Sequence, residues 1–154
     1  MKPASATVTV SRPREEVFDF LDVLGNHERF TNHFLVDWRL SGPAAGVGAK
    51  ARMRLKKPGP ADWLDMKVVA GERPKTTVEE SVSANGRRRT RGTYLLTEAP
   101  GGATRIRFRL EWLQVPLSER LAAPLTRAIA GRSNAKSLQR LAYVLNNRSK
   151  EEAR

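Results

Sequence analysis

Between residues 34 and 114 apolar and polar side chains alternate with a period of two, and after Pro116 the period lengthens to about 3.6. The clearest alternation is Thr104–Trp112. Thr104, Ile106, Phe108, Leu110 and Trp112 share one parity, and Arg105, Arg107, Arg109 and Glu111 share the other. This is the pattern of a strand with one buried and one wet face. The same reading predicts strands over 5–10, 34–41, 49–57, 62–70, 75–83 and 87–98, separated by turn-rich stretches such as GPAAGVG, PGP, GERP and APGG. Asn85-Gly86 is the strongest hairpin signal. A two-residue turn there places Val82 opposite Arg89 and Glu80 opposite Arg91.

Helical spacing occurs in two places. Ser11 is a candidate N-cap, Pro13 suits a first turn, and Val17, Phe18, Leu21 and Leu24 follow at helical intervals up to Gly25-Asn26. HERFTNHF then reads as a short second helix or turn. Beyond Pro116, Leu117, Leu121, Leu125, Ala128, Ala135, Leu138, Leu141 or Ala142, and Leu145 predict one long helix to about Asn147. It is expected to bend at Pro124 and Gly131 and to fray over RSKEEAR. The order is strand, short helices, six strands, long helix. It predicts an α+β domain in which a mostly antiparallel sheet is covered by the C-terminal helix.

Inward parity assigns Met53 and Leu55, then Leu64, Met66 and Val68, then Ile106, Phe108, Leu110 and Trp112 to the concave face. Tyr94 and Leu96 join them unless the APGG loop shifts the register by one residue. Phe20, Phe30, Phe34, Leu121, Leu125 and Ala128 are the helical candidates for the same space. Each could simply pack a solid core; the small residues Ala128, Gly131 and Ala135 favour a space left open.

Composition narrows the chemistry. The chain has 154 residues, 40% of them hydrophobic, which is enough for one domain with a real core. Its 28 Lys and Arg against 16 Asp and Glu give a net charge of +12. That favours polyanions, anionic membranes or acidic ligands without choosing among them. With no cysteine, disulfides, thiolate metal sites and cysteine nucleophiles are excluded. No apolar run approaches ~18 residues and the first residues lack a signal-peptide core, so a soluble cytoplasmic protein is expected.

The segments PREEVFDFLDVLGNHERF, GVGAKARM, VVAGERP and GTYLLTEAPGGATRIRF resemble, in order and spacing, the START/Bet v 1-like (SRPBCC) superfamily, closest to its polyketide cyclase/dehydrase and lipid-transport branch. The resemblance spans roughly residues 5–145. It implies a single domain over 1–154, ordered over about 5–147, with a helix-grip fold: a seven-stranded antiparallel sheet curled around a long C-terminal helix and enclosing an apolar cavity. It further implies a hydrophobic ligand such as a lipid, fatty acid or polyketide-like compound, with catalysis in a minority of members. It carries over no catalytic residue.

His27 and His33 are the candidate acids or bases, and His33, between Asn32 and Phe34, is the stronger functional candidate. The nearby Glu28, Asn32 and Asp37 fit no metal-site spacing, so neither a metal nor a cofactor is expected. Glu80–Arg91 is either an inward polar feature that orients a ligand or an exposed pair worth little. Asp62 and Asp65 lie on opposite strand faces. No phosphate loop, Gly-x-Ser-x-Gly or dinucleotide fingerprint is present.

Lys50, Arg52, Arg54, Lys56, Arg87, Arg89, Arg91, Arg105, Arg107 and Arg109 are expected on the outer sheet face. That face carries few aromatics for base stacking, Trp63 being the clearest, so nucleic acid is the least favoured partner. An anionic membrane is the better polyanion. The leading reading is a protein that binds a hydrophobic small molecule, oriented by Tyr94, His33 or Glu80. A polyketide aromatase/cyclase-type enzyme using the same cavity is the alternative, and a basic membrane- or nucleic-acid-binding module the third. Nothing in the residues sets an oligomeric state.

Overall fold

The computed structural model describes residues 1–148. Seven strands form one antiparallel sheet: β1 Ala4–Val10, β2 Leu35–Ser41, β3 Lys50–Leu55, β4 Asp62–Glu72, β5 Thr76–Ser83, β6 Arg88–Ala99 and β7 Ala103–Gln114. Their order across the sheet is β1-β7-β6-β5-β4-β3-β2. Every neighbour after β1 is therefore a hairpin partner, and β1 closes the far edge against β7. Helices α1 Arg14–Asp22 and α2 Glu28–Thr31, joined through a 3-10 turn at Leu24–His27, follow β1. Helices α3 Leu117–Leu121 and α4 Ala123–Asn146 follow β7. This is the seven-stranded, helix-covered α+β architecture expected from the alternation.

The hairpins hold the anticipated register. Asn85 and Gly86 have φ of 54° and 88°, the pair of positive values that a tight primed turn requires, and Val82 faces Arg89 and Glu80 faces Arg91. Across the Pro100–Gly102 loop, Tyr94 pairs with Phe108 and Leu96 with Ile106, so Tyr94 and Leu96 do point inward.

Two helical expectations change. Pro13, not Ser11, occupies the N-cap of α1, and no side chain caps it; Glu15 and Glu16 lie in the first turn, where the helix dipole favours them. The long C-terminal helix is two helices. The backbone breaks at Ala122 (φ −101°, ψ 31°), and Pro124 lies in the first turn of α4, where its missing N–H costs nothing. Gly131 lies within α4 without interrupting it. The expected fraying of the tail falls largely on residues 149–154, outside the described ones.

Two apolar clusters build the core. One joins Val10 of β1, Val17, Phe18, Phe20 and Leu21 of α1, Phe30, Leu96 and Ile106 to Leu138, Leu141 and Leu145 of α4. The other joins Leu24, Leu35, Ala51, Met53, Met66 and Val68 under β2–β4. Each fully buried aliphatic side chain contributes about 1.5–3 kcal/mol. Polar bonds lock α4 to the chain's start: the Ser11 N–H donates to Asn146 Oδ1 (2.8 Å) and Arg12 Nε donates to the Leu145 carbonyl (2.9 Å).

Candidate functional site

Between the sheet and the first half of α4 lies a cavity of about 270 Å³, the volume of about nine waters. Phe34, Leu35, Leu55, Leu64, Met66, Phe108, Leu110 and Trp112 give it apolar walls. From α4 it receives Thr126, Ile129, Ala130, Ser133 and Asn134. These fall at helical spacing, and most are small, so the helix arches over the sheet without filling the space. Ile129 is exposed and marks the open side. Gly92 of β6 also makes room: a Cβ there would meet the Phe108 ring at 2.8 Å and Glu79 Oε1 at 3.2 Å. Its absence lets the ring lie flat on the strand.

Strand β5 supplies the site's polar floor. Thr77, Glu79, Ser81 and Ser83 are its buried residues, and Val78, Glu80 and Val82 alternate with them on the outer side. The polarity of this strand is thus inverted, polar inward and apolar outward. Glu79, Ser81 and Ser83 line the cavity with Thr90. Behind them a smaller space of about 40 Å³ is lined by His27, Thr31, Glu79, Tyr94 and Ser137.

Glu79 and His27 are both buried, with Oε2 and Nδ1 3.7 Å apart. His27 Nε2 lies 2.7 Å from the Leu21 carbonyl, to which it donates, so Nδ1 is the bare nitrogen of a neutral ring facing Glu79. Burial lowers the His27 pKa to about 4 against the raising effect of that hydrogen bond. Burial raises the Glu79 pKa to about 8. Near pH 7 the pair is an uncharged imidazole beside an uncharged carboxyl, and that carboxyl is a hydrogen-bond donor at the inner end of an apolar cavity. The Tyr94 ring lies edge-on to His27, with centroids 5.6 Å apart, and tilts against Phe108 at 4.6 Å. Burial, then the Glu79 charge, pushes its phenol well above the ordinary range.

A charged network borders the other end. Arg88 Nη1 donates to Asp62 Oδ2 (3.0 Å) and Ser83 Oγ (2.8 Å), while Nε donates to Glu119 Oε2 (3.0 Å) and Nη2 to Glu119 Oε1. Burial alone would raise the Asp62 pKa; the Ala84 N–H and Arg88 outweigh it and hold it below the usual carboxylate value. This network ties α3 to the β5–β6 hairpin.

The sequence candidates fall into four groups. Phe34, Leu64, Met66, Phe108, Leu110 and Trp112 line the main cavity, and Tyr94 lines the space behind it. Phe20, Phe30, Met53 and Leu96 are buried in the packed clusters and touch neither space. His33 braces α2 against α4: Nε2 donates to the Ser133 carbonyl (3.2 Å) and Nδ1 accepts from Arg140 (3.0 Å). Leu121, Leu125 and Ala128, expected at the cavity, instead face solvent, because the face of α4 turned to the sheet is the Thr126–Ala130–Ser133–Asn134 row. Of the two readings of Glu80, the outward one holds. It makes a half-exposed pair with Arg91 (2.9 Å) on the outer face.

Glu79, His27 as the buried histidine, and Arg88 are the residues that sequence reasoning missed. Strand register carried the signal for Glu79: once Glu80 faces outward opposite Arg91, its neighbour must face inward opposite Gly92.

The fold matches known proteins. The family described as polyketide cyclase / dehydrase and lipid transport matches residues 1–146. The chain belongs to this family. Among solved structures of similar fold is the Zhui aromatase/cyclase of a Streptomyces species, 14% identical, with a TM-score of 0.75 over 96% of this chain and 95% of that one. A Thermus thermophilus protein is 16% identical, with a TM-score of 0.73 over 94% and 97%. The di-domain aromatase/cyclase StfQ of the steffimycin biosynthetic pathway is 12% identical, with a TM-score of 0.65 over 95% of this chain and 45% of that one. Identities this low establish a shared fold. No curated protein matches the chain in sequence. Within the family frame, no group of three or more His, Asp or Glu among the described residues could hold a metal ion. No described helix is long and apolar enough to cross a membrane.

Proposed function

We propose that this protein binds a mostly apolar small molecule bearing a carbonyl or hydroxyl oxygen, with the oxygen at Glu79 and the carbon skeleton between the sheet and α4. The observation that carries this reading is a cavity with apolar walls whose lining includes the buried Glu79 carboxyl, the burial that raises its pKa favouring the protonated form. Burying the ligand's apolar surface supplies affinity at about 25 cal/mol per Å². The Glu79 hydroxyl, with Ser81 and Thr90 nearby in the lining, rewards an oxygen placed at that end. Lipids, fatty acids and polyketide-like compounds all meet this description, and membership of the family supports it.

Native mass spectrometry of the protein purified from its own host tests the reading. A co-purified apolar compound is expected, and Ala130→Trp, which plugs the cavity from α4, is expected to lose it. An adduct that survives the plug, or none in the wild type, would count against the cavity.

Catalysis in the aromatase/cyclase manner is a second reading, favoured by two titratable groups 3.7 Å apart whose surroundings push their pKa values in opposite directions. In it Glu79 hands its proton to a ligand carbonyl oxygen. Glu79→Gln keeps a donor in place but no transferable proton, so turnover is lost while binding survives. Under the binding reading no turnover exists to lose.

A further inference from the structure

The sequence stripe that does not face the sheet has its own meaning. Leu117, Leu121, Leu125 and Ile129 follow one another at four-residue intervals along α3 and α4, and they are 68%, 78%, 62% and 59% exposed. Single exposed leucines are ordinary, but large aliphatic side chains repeated at helical spacing on one arm are not. Pro124 and Ala128 between them are exposed too. The surrounding charge is of one sign. From Leu113 to Arg132 the chain carries Arg120, Arg127 and Arg132 and a single carboxylate, Glu119, which Arg88 engages. Arg120 and Arg132 are exposed beside the ridge.

We propose that this ridge is a docking surface for an anionic lipid bilayer, with the four aliphatic side chains inserted among acyl chains and the flanking cations at the headgroups. Apolar residues on one side of a helix and cations with almost no carboxylates around them are what an interfacial helix needs. A second copy of the chain fits the ridge poorly, because each copy carries +12 and docking would bring like-charged helices together. Ile129 belongs both to the ridge and to the cavity lining. A docked molecule therefore has the open side of its cavity beside the hydrocarbon, so an apolar occupant need not cross water. This goes beyond the ligand-binding reading and does not require it, since the vesicles themselves are the probe.

The test is co-flotation of the full chain with vesicles of phosphatidylcholine alone and of phosphatidylcholine mixed with phosphatidylglycerol. Binding to the anionic vesicles that falls as salt is raised is expected, with little binding to the neutral ones. The double variant Leu121→Ser/Leu125→Ser is expected to lose about tenfold or more in partitioning at unchanged thermal stability, because both side chains are already exposed. Leu95→Ser, an exposed leucine on the outer sheet face, is expected to bind as the wild type does. Three results overturn the proposal. One is equal, weak partitioning into both vesicle types. Another is loss of binding in Arg105→Ser/Arg107→Ser/Arg109→Ser with the ridge variant unaffected, which moves docking to the sheet. The last is a dimer in sedimentation that the ridge variant converts to monomer, which makes the ridge a self-association surface.

Discussion

Along α4, Leu138, Leu141, Ala142 and Leu145 pack against β1, α1 and the β6–β7 hairpin, whereas two turns earlier the same inward face carries Ala130, Ser133 and Asn134 over a cavity. The backbone is continuous between the two regions. The closed half is held twice, by aliphatic packing and by the Ser11, Arg12 and Asn146 hydrogen bonds. The open half is held at its margins, by the Arg88–Glu119 pair, by Arg127 donating to the Lys2 and Pro3 carbonyls and by His33 on the Ser133 carbonyl, and between these it arches over space. Close packing and open space are thus separated along one helix: large side chains fix its position at one end, and small ones leave room at the other.

The largest effect that sharpens this contrast is expected from Leu141→Ala. Leu141 is fully buried, and truncating it should cost about 2–5 kcal/mol in chemical denaturation. Ala130→Ile, on the same face in the open half, should cost far less, because its added atoms enter existing space. Equal losses would erase the distinction between the halves.

Arg88→Met comes next. It leaves the buried Asp62 and its neighbour Ser83 without their guanidinium and frees Glu119, for an expected loss of about 1–3 kcal/mol. Hydrogen exchange should rise in α3 and not in the second half of α4. Exchange that rises equally in both would show that the network does not serve the open half alone.

The dependence of stability on pH isolates the Glu79–His27 pair. Glu79, with its folded pKa raised from 4.5 to about 8, binds more protons folded than unfolded between those values, so its contribution falls as pH rises through that window. His27, lowered from 6.5 to about 4, does the reverse, and stability rises with pH between 4 and 6.5. The slopes oppose each other from 4.5 to 6.5, leaving Glu79 alone from 6.5 to 8. Wild-type stability should therefore decline between pH 6.5 and 8, and Glu79→Gln should flatten that decline. An unchanged slope would mean that Glu79 is ionised in the fold.

Smallest are the exposed changes. Leu125→Ser and Glu80→Ala should each shift stability by no more than about 0.5 kcal/mol in the same denaturation measurement, the latter because its pair with Arg91 is screened by solvent. A large loss in either would return that residue to the interior.

Strand alternation made most of the sheet legible, since residues such as Phe108 and Met66 must turn inward wherever one face is apolar. The same rule reaches its limit at the candidate site. In β5 the valines face out and the polar row faces in, because the cavity needs a polar floor more than that strand needs a greasy one. In α3 and the first half of α4 the leucines of the stripe read as core but lie outside, while Leu138, Leu141 and Leu145 further along are buried, because the helix face over the cavity consists of small and polar residues. Nothing in the spacing marked His27 as the buried histidine of the two; Leu24 and Phe30, three residues to either side, are buried with it. The misplaced leucines border the candidate site, where small and polar residues leave room.

The most direct test of the oxygen-recognising cavity compares two ligands of matched shape, 2-acetylnaphthalene and 2-isopropenylnaphthalene, titrated calorimetrically at pH 7 into wild type and Glu79→Leu. The expected result is about tenfold tighter binding of the ketone by the wild type and no preference in the variant, the difference of one buried hydrogen bond. Equal affinities in the wild type, or a ketone preference that survives Glu79→Leu, would contradict the assignment of Glu79 as the donor.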